Sequence, residues 1–263
     1  MSEGIYTATS GAIAYQMRLE VLANNLSNIN TVGFKEDRAT FTTYFPETQD
    51  PVTEYIESTP ISGETEVVPP YLTSDSLVAF EGTETDFSSG QLKQTGNKLN
   101  VALVGNGFFS VQTPSGVQFT RNGNFTLNGE GVLVTQDGLP VLGNGGEIKL
   151  EIDDSQDFFI DEEGNISANG AQVDTLRIVD FSDPHSLEKV GNTRFALVDS
   201  TFAADTAEGF RVTQGFVELS NVDAVRVMTE MLEVLRGYEA YQKVIQSIDE
   251  VTSTAIEEVG QLA

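Results

Sequence analysis

The sequence has no cysteine, no tryptophan and one histidine, and only 14 lysines and arginines against 40 aspartates and glutamates in 263 residues. The absence of cysteine excludes disulfides and thiolate-ligated metal. The lone His185, in "FSDPHSLEKVG" beside Pro184, has no second histidine to join it as a ligand. It reads as a surface-loop residue and not as part of a metal centre or a triad. A formal charge of −26 repels the phosphate backbone of nucleic acid and, for the same reason, an anionic membrane surface. No apolar run approaches the ~20 residues that would span a bilayer, so membrane insertion is not expected. The opening "MSEGIYTATSGAIAY" lacks a basic n-region and a continuous apolar h-region, so no cleaved signal peptide is expected either.

What is present is unevenly distributed. Residues 1–35 carry two acids and two bases, residues 36–220 carry 30 acids and 9 bases, and residues 221–263 carry 8 and 3. At that density, runs such as Asp153, Asp154 and Asp157, or Asp161, Glu162 and Glu163, arise as solvated turns. Acid–base catalysis would need two carboxylates driven to different pKa values in a cleft. A calcium loop would need a ligand spacing and a glycine that these runs lack. "VGNGFF", residues 104–109, has neither the lysine nor the following helix of a phosphate-binding loop and reads as a turn between strands. The sequence therefore offers no catalytic residue, no metal ligand and no cofactor site. A rival of another class, a secreted acidic glycan-active enzyme, would show a deep cleft with paired carboxylates.

Both chain ends read as helices. Ile5, Ala8, Ala12, Tyr15, Leu19, Leu22, Leu26 and Ile29 step by 3 and 4 alternately, the repeat that keeps a narrow stripe facing a partner helix. The C-terminal segment carries Val225, Met228, Leu232, Leu235, Tyr238, Tyr241, Val244, Ile248, Val251, Ala255, Val259 and Leu262, with repeated steps of three around Gly237 that predict a drifting seam and local overwinding. "SNVD", residues 220–223, supplies Ser, Asn and Asp as N-cap candidates. In between, residues 107–150 and 158–173 alternate β-formers with Ser-Gly, Asn-Gly, Asp-Gly and Gly-Gly steps, which predicts an antiparallel β region. Residues 42–80, rich in Pro, Thr and Glu, read as an extended connector.

The first helix ends in "LANNLSNINTVGFK", with four asparagines that are poor helix formers. An asparagine beside a helix seam can fix register and choice of neighbour at some cost in stability. Gly33 is expected to close the helix in the left-handed conformation, with Phe34 folded back onto the last turn. Lys35 and Arg38 are expected to complement the negative end of the helix dipole.

This stretch, with "GIYTATSGA", "TGNKLNVALVGNGFFSVQT", "FTRNGNFTLNGEGVLVTQDGLPVLG" and "GFVELSNVDAVRVMTEMLEVLRGYEAYQKVIQSID", resembles the axial proteins of the bacterial flagellum, the rod and hook subunits. Several separated motifs in the right order carry the resemblance over nearly the whole chain. The family signature falls on Asn24, Asn25, Asn28, Asn30, Thr31, Gly33 and Phe34. The resemblance implies a structural, non-enzymatic subunit of the basal-body rod that uses no cofactor. It would polymerise with itself and with other axial proteins, and leave the cell through the type III flagellar export apparatus without cleavage. Within the family the length, the opening and "GLPVLGNGGEI" stand nearest the proximal-rod members, with the distal-rod subunit as the alternative.

The expected fold class is α+β. Residues 1–35 and 219–263 form a discontinuous helical coiled-coil domain, residues 36–80 a connector, and residues 81–218 a mostly antiparallel β domain. The assembly seams are expected on the N-terminal stripe from Ile5 to Ile29 and on Met228, Leu232, Leu235, Tyr238, Tyr241, Ile248, Val251 and Ala255.

Overall fold

A computed structural model describes residues 2–44, 77–150, 158–168, 170–183, 186–191, 193–198, 205–207 and 209–261. His185, Pro184, Asp153, Asp154, Asp157 and most of the connector lie outside the described residues, as does Leu262. The class is α+β: helix α1, Ser2–Ser27, opens the chain, helix α2, Ala224–Gln261, closes it, and short strands paired in antiparallel fashion fill the interval.

The chain divides into two compact units, one of residues 1–20, 39–82 and 232–263, the other of residues 21–38 and 83–231. Part of the expected connector is strand, because its ends alternate Thr, Phe and Val in the manner of a pleated ribbon. Strand β1, Glu36–Tyr44, pairs with β2, Leu77–Asp86, and Phe41 and Phe80 meet edge to face at 5.7 Å between ring centres.

In the first unit α1 and α2 run antiparallel, with Tyr15 and Tyr241 rings 5.5 Å apart. Along α1, Ala8, Ala12 and Leu22 are buried and Ile5, Tyr15, Leu19 and Leu26 half-buried; Ile29, expected on the same stripe, is half-buried in the turn that follows the helix. In the single chain α2 divides the expected seam residues between two stripes. Its buried and half-buried positions recur at Val227, Met231, Val234, Tyr238, Tyr241, Ile245, Ile248, Thr252 and Ala255, an alternation of 4 and 3 without interruption. Met228, Leu232, Leu235, Val244 and Val251 are exposed. The steps of three around Gly237 are therefore a jump between two stripes, and the helix stays α-helical through the glycine instead of overwinding there.

The second unit holds the core. Strand Phe108–Thr113 lies near the middle of a six-stranded sheet, paired with Gly116–Thr120 in the register Phe109↔Thr120 and Val111↔Gln118. Successive residues of a strand face opposite sides. Phe109 and Val111 accordingly join Phe125, Val141, Ile148 and Ile166 in one cluster, while Phe108 joins Phe119, Phe181 and Phe195 in another. Both faces are covered, so the strand is buried along almost its whole length, the polar Ser110 and Thr113 included. Each fully buried phenylalanine contributes about 1.5–3 kcal/mol of transfer free energy.

Candidate functional site

The asparagine-rich signature turns the chain. α1 ends at Ser27, six residues before Gly33, so the expected glycine cap is not at the helix end. The end is closed by polar side chains: the carbonyl of Asn24 accepts from Asn28 N at 3.2 Å, Asn28 Nδ2 at 3.0 Å and Ser27 Oγ at 2.8 Å. The two side-chain donors converge on one of the carbonyls of the last turn, where a helix runs out of backbone partners. Asn25 is fully buried and holds the backbone of Asp37 from both sides. Its Nδ2 donates to Asp37 O at 2.7 Å and its Oδ1 accepts from Asp37 N at 3.0 Å. The amide that a polymer contact could have used for register is engaged within the chain; Asn24 and Asn30 are exposed.

Gly33 does have the left-handed conformation, with φ of 70°, but for another reason. Its N donates to Glu218 O at 2.8 Å, and a Cβ there would run into the backbone of Arg121 and Asn122. Phe34 is buried under the Lys189 ammonium, which lies 3.9 Å from the ring centre. Thr31 donates to Asn28 Oδ1.

Lys35 and Arg38 serve carboxylates, not the helix dipole. Lys35 Nζ, 1% exposed, donates at 2.7 Å to Glu218 Oε1 and to Ser88 O. Glu218 Oε1 also accepts from Gly90 N at 2.8 Å, and Glu218 Oε2 faces Arg121 Nη1 at 3.7 Å. Arg121 lies against the Phe108 ring and donates to Gly105 O at 2.8 Å. Two buried cations thus flank one buried carboxylate. Burial pushes the pKa of Lys35 down, and the neighbouring Glu218 pulls it back in part. Around this centre, Lys189 pairs with Asp37 at 2.7 Å and Arg226 grips both oxygens of Glu36. Asn221 links Glu36 N to Asp86 O.

Lys35, Arg121 and Glu218 each stand inside a motif already noted, yet the partnership among them is invisible in sequence because Lys35 and Glu218 are 183 residues apart. Of the N-cap candidates, Asp223 caps α2, its Oδ1 accepting from Val225 N at 2.9 Å and Arg226 N at 3.1 Å. Asp161 staples a turn, accepting from Asn165 N and Nδ2, both at 2.8 Å, and from Glu163 N.

Asp86 bonds Arg38 at 2.6 Å and accepts from Ser88 N at 2.9 Å. Partial burial would raise its pKa, but the Ser88 bonds and the nearby cations outweigh it and hold the group below 3.8. A carboxylate depressed in the folded state contributes stability that is present above 3.8 and lost as pH falls through the folded value. Asp86→Asn is therefore expected to lower the urea midpoint at pH 6 and to have a shrinking effect below pH 3.8. An equal effect at both pH values would contradict this.

The arrangement is mechanical. A polar, ion-paired hub fixes the chain where it leaves α1 and where it enters α2. α2 leaves large apolar side chains in solvent: Val225 and Met228 in the second unit, and Leu232 (57% exposed), Leu235, Val244, Val251 and Ile256 in the first. Among the described residues no helix is long and apolar enough to cross a membrane, and no group of three or more metal-ligating side chains occurs.

Comparison with known proteins agrees along the whole chain. Residues 5–35 match the family described as "Flagella basal body rod protein", residues 102–168 the "Flagellar hook protein FlgE/F/G D1 domain", and residues 213–258 the "Flagellar basal body rod FlgEFG protein C-terminal". The chain is 35% identical to the flagellar basal-body rod protein FlgG of Bacillus subtilis over 95% of its own length and 97% of that relative's. It is 34% identical to FlgG of Agrobacterium fabrum over 94% and 95%, and 30% identical to the flagellar basal-body rod protein FlgF of Caulobacter vibrioides over 100% of both.

Proposed function

The chain belongs to the FlgE/F/G family of flagellar rod and hook proteins, and on that premise we propose that it is a structural subunit of the basal-body rod whose work is assembly and not catalysis. The observation that carries the mode of assembly is the exposed apolar face of α2. In the first unit Leu232 and Leu235, three residues apart, and Val244 and Val251, seven apart, are exposed in the single chain at spacings that a helix–helix seam uses. Exposed apolar groups in such a row mark a surface that a partner covers. The partners are other axial subunits, this chain included, and export runs through the flagellar apparatus without cleavage. End-to-end similarity to a protein named FlgF supports the proximal position, and the higher identity to proteins named FlgG supports a sibling position in the same rod.

Leu232→Lys tests the mode of assembly. A lysine on an exposed helix position leaves folding almost untouched, whereas in a packed contact an unpaired charge costs several kcal/mol. The variant is expected to be exported, to melt within about 2 °C of the unmodified chain, and to be missing from rods in purified basal bodies. Normal incorporation would show that this face stays in solvent.

A further inference from the structure

In the first unit, each of the two helices carries a glycine four residues before a tyrosine: Gly11 and Tyr15 on α1, Gly237 and Tyr241 on α2. The pairs are reciprocal. A Cβ on Gly11 would fall 2.5 Å from Tyr241 Cε1 and 2.6 Å from its Cζ, and a Cβ on Gly237 would overlap the ring of Tyr15. The third contact, Gly4 with Ile248 Cδ1 at 4.0 Å, continues the same antiparallel register, in which 4, 11 and 15 face 248, 241 and 237. Each ring also lies against the other, which limits the directions in which it can move aside.

We propose that this double glycine–tyrosine contact is a register lock for the helix pair, making Gly11, Tyr15, Gly237 and Tyr241 its positioning residues. A heptad seam alone does not define register, since a slip of seven residues again places apolar against apolar. Here a slip in one direction sets Tyr15 opposite Val244 and Gly11 opposite Ile248. In the other direction it sets Gly11 opposite Val234 and Gly237 opposite Ala8. In neither does a ring from each helix find a glycine. The lock therefore selects one register and with it the face of α2 that remains uncovered. It requires nothing of the rod assignment, because the test is read on the purified full chain.

The sign of a substitution separates the lock from ordinary helix behaviour. Glycine to alanine inside a helix normally stabilises it, so Gly237→Ala should raise helicity and melting temperature if the site were unconstrained. The lock predicts that both fall. Register is read directly by engineered disulfides, which the cysteine-free chain makes unambiguous. Gly4→Cys with Ile248→Cys reports the observed register, and Gly4→Cys with Ala255→Cys a slip of seven. The first pair should close at least tenfold more efficiently than the second. In the Gly11→Ala, Gly237→Ala background that ratio should drop at least fivefold.

If Gly237→Ala instead melts the helix pair altogether, Tyr15→Ala added to it decides the matter. The lock predicts recovery of helicity and of the 4–248 disulfide, since the clash is removed and the Gly11–Tyr241 contact remains. A rise in melting temperature with Gly237→Ala, an unchanged disulfide ratio in the double-alanine background, or failure of Tyr15→Ala to rescue would each overturn the proposal.

Discussion

Replacing Glu218 by leucine is expected to cost about 3–5 kcal/mol, the scale for removing one partner of a buried ion pair. The carboxylate is 1% exposed, and its loss leaves Lys35 and Arg121 facing each other without the anion between them. It also orphans Gly90 N, which donates to the same oxygen. Domains of this size have about 5–15 kcal/mol in total, so the variant should unfold at far lower urea than the parent. The apolar double replacement Lys35→Met, Glu218→Leu should recover part of the loss, because it removes the unpaired Lys35 charge while Arg121 and Gly90 N still lack the carboxylate. Equal urea midpoints for Glu218→Leu and the parent would show that the pair holds nothing together. A double variant as poor as the single would show that the unpaired Lys35 charge is not the source of the cost.

Valine at Gly33 is the second large effect. A β-branched residue at φ of 70° carries about 1–2 kcal/mol of strain, and forcing its side chain into the Arg121–Asn122 backbone adds about 1–3 kcal/mol. Asparagine, which tolerates the left-handed region, separates the two contributions. If the backbone approach dominates, Gly33→Asn should be nearly as destabilising as Gly33→Val. Gly138 is the control, since it has φ of 79° with open space where a Cβ would go, and asparagine there should be close to neutral. Thermal unfolding of the three variants measures this, and a harmless Gly33→Asn would remove the close approach from the explanation.

The parts of the fold that were legible in sequence are those set by local periodicity. The α1 helix as far as Leu26 and the turn-punctuated strands depend on residues within about a turn or a hairpin of one another, and they stand where the spacing placed them. The two stripes of α2 are not separable in sequence because apolar residues stand side by side on it: Leu232 and Leu235 are as strong a signal as Met231 and Val234, and Val244 as strong as Ile245. Thr252, polar in type, nevertheless belongs to the half-buried stripe, while apolar Val251 beside it is exposed. Nothing in a heptad count tells an inner stripe from an outer one. Leu22 and Leu235 likewise stood as equals on two seams, but Leu22 is 5% exposed and Leu235 is 37% exposed.

The hub was hidden for a different reason. Lys35 read as a helix-end charge because its partner lies 183 residues away, and only the fold brings "NTVGFK", "FTRNGNF" and "GFVELSNV" to one point. The asparagines were recognisable as a specifying feature. That Asn25 specifies a chain reversal, through the backbone of Asp37, depends on where residues 36 and 37 go after the helix ends. β1 and β2 were missed because composition alone does not separate an extended connector from a two-stranded ribbon whose partner strand lies across a long insertion.

The most direct test of the chain as a rod subunit assembling through α2 is photo-crosslinking in place. A photoreactive amino acid at Leu232 of the otherwise unmodified chain, activated in intact basal bodies, should join the chain to a second axial subunit, identified by mass spectrometry of the linked peptide. A matching probe at Gly138, in a turn of the β region, should give far less of that product. Intact rods that lack the chain, or rods that contain it with position 232 linked to no axial subunit, would contradict the account.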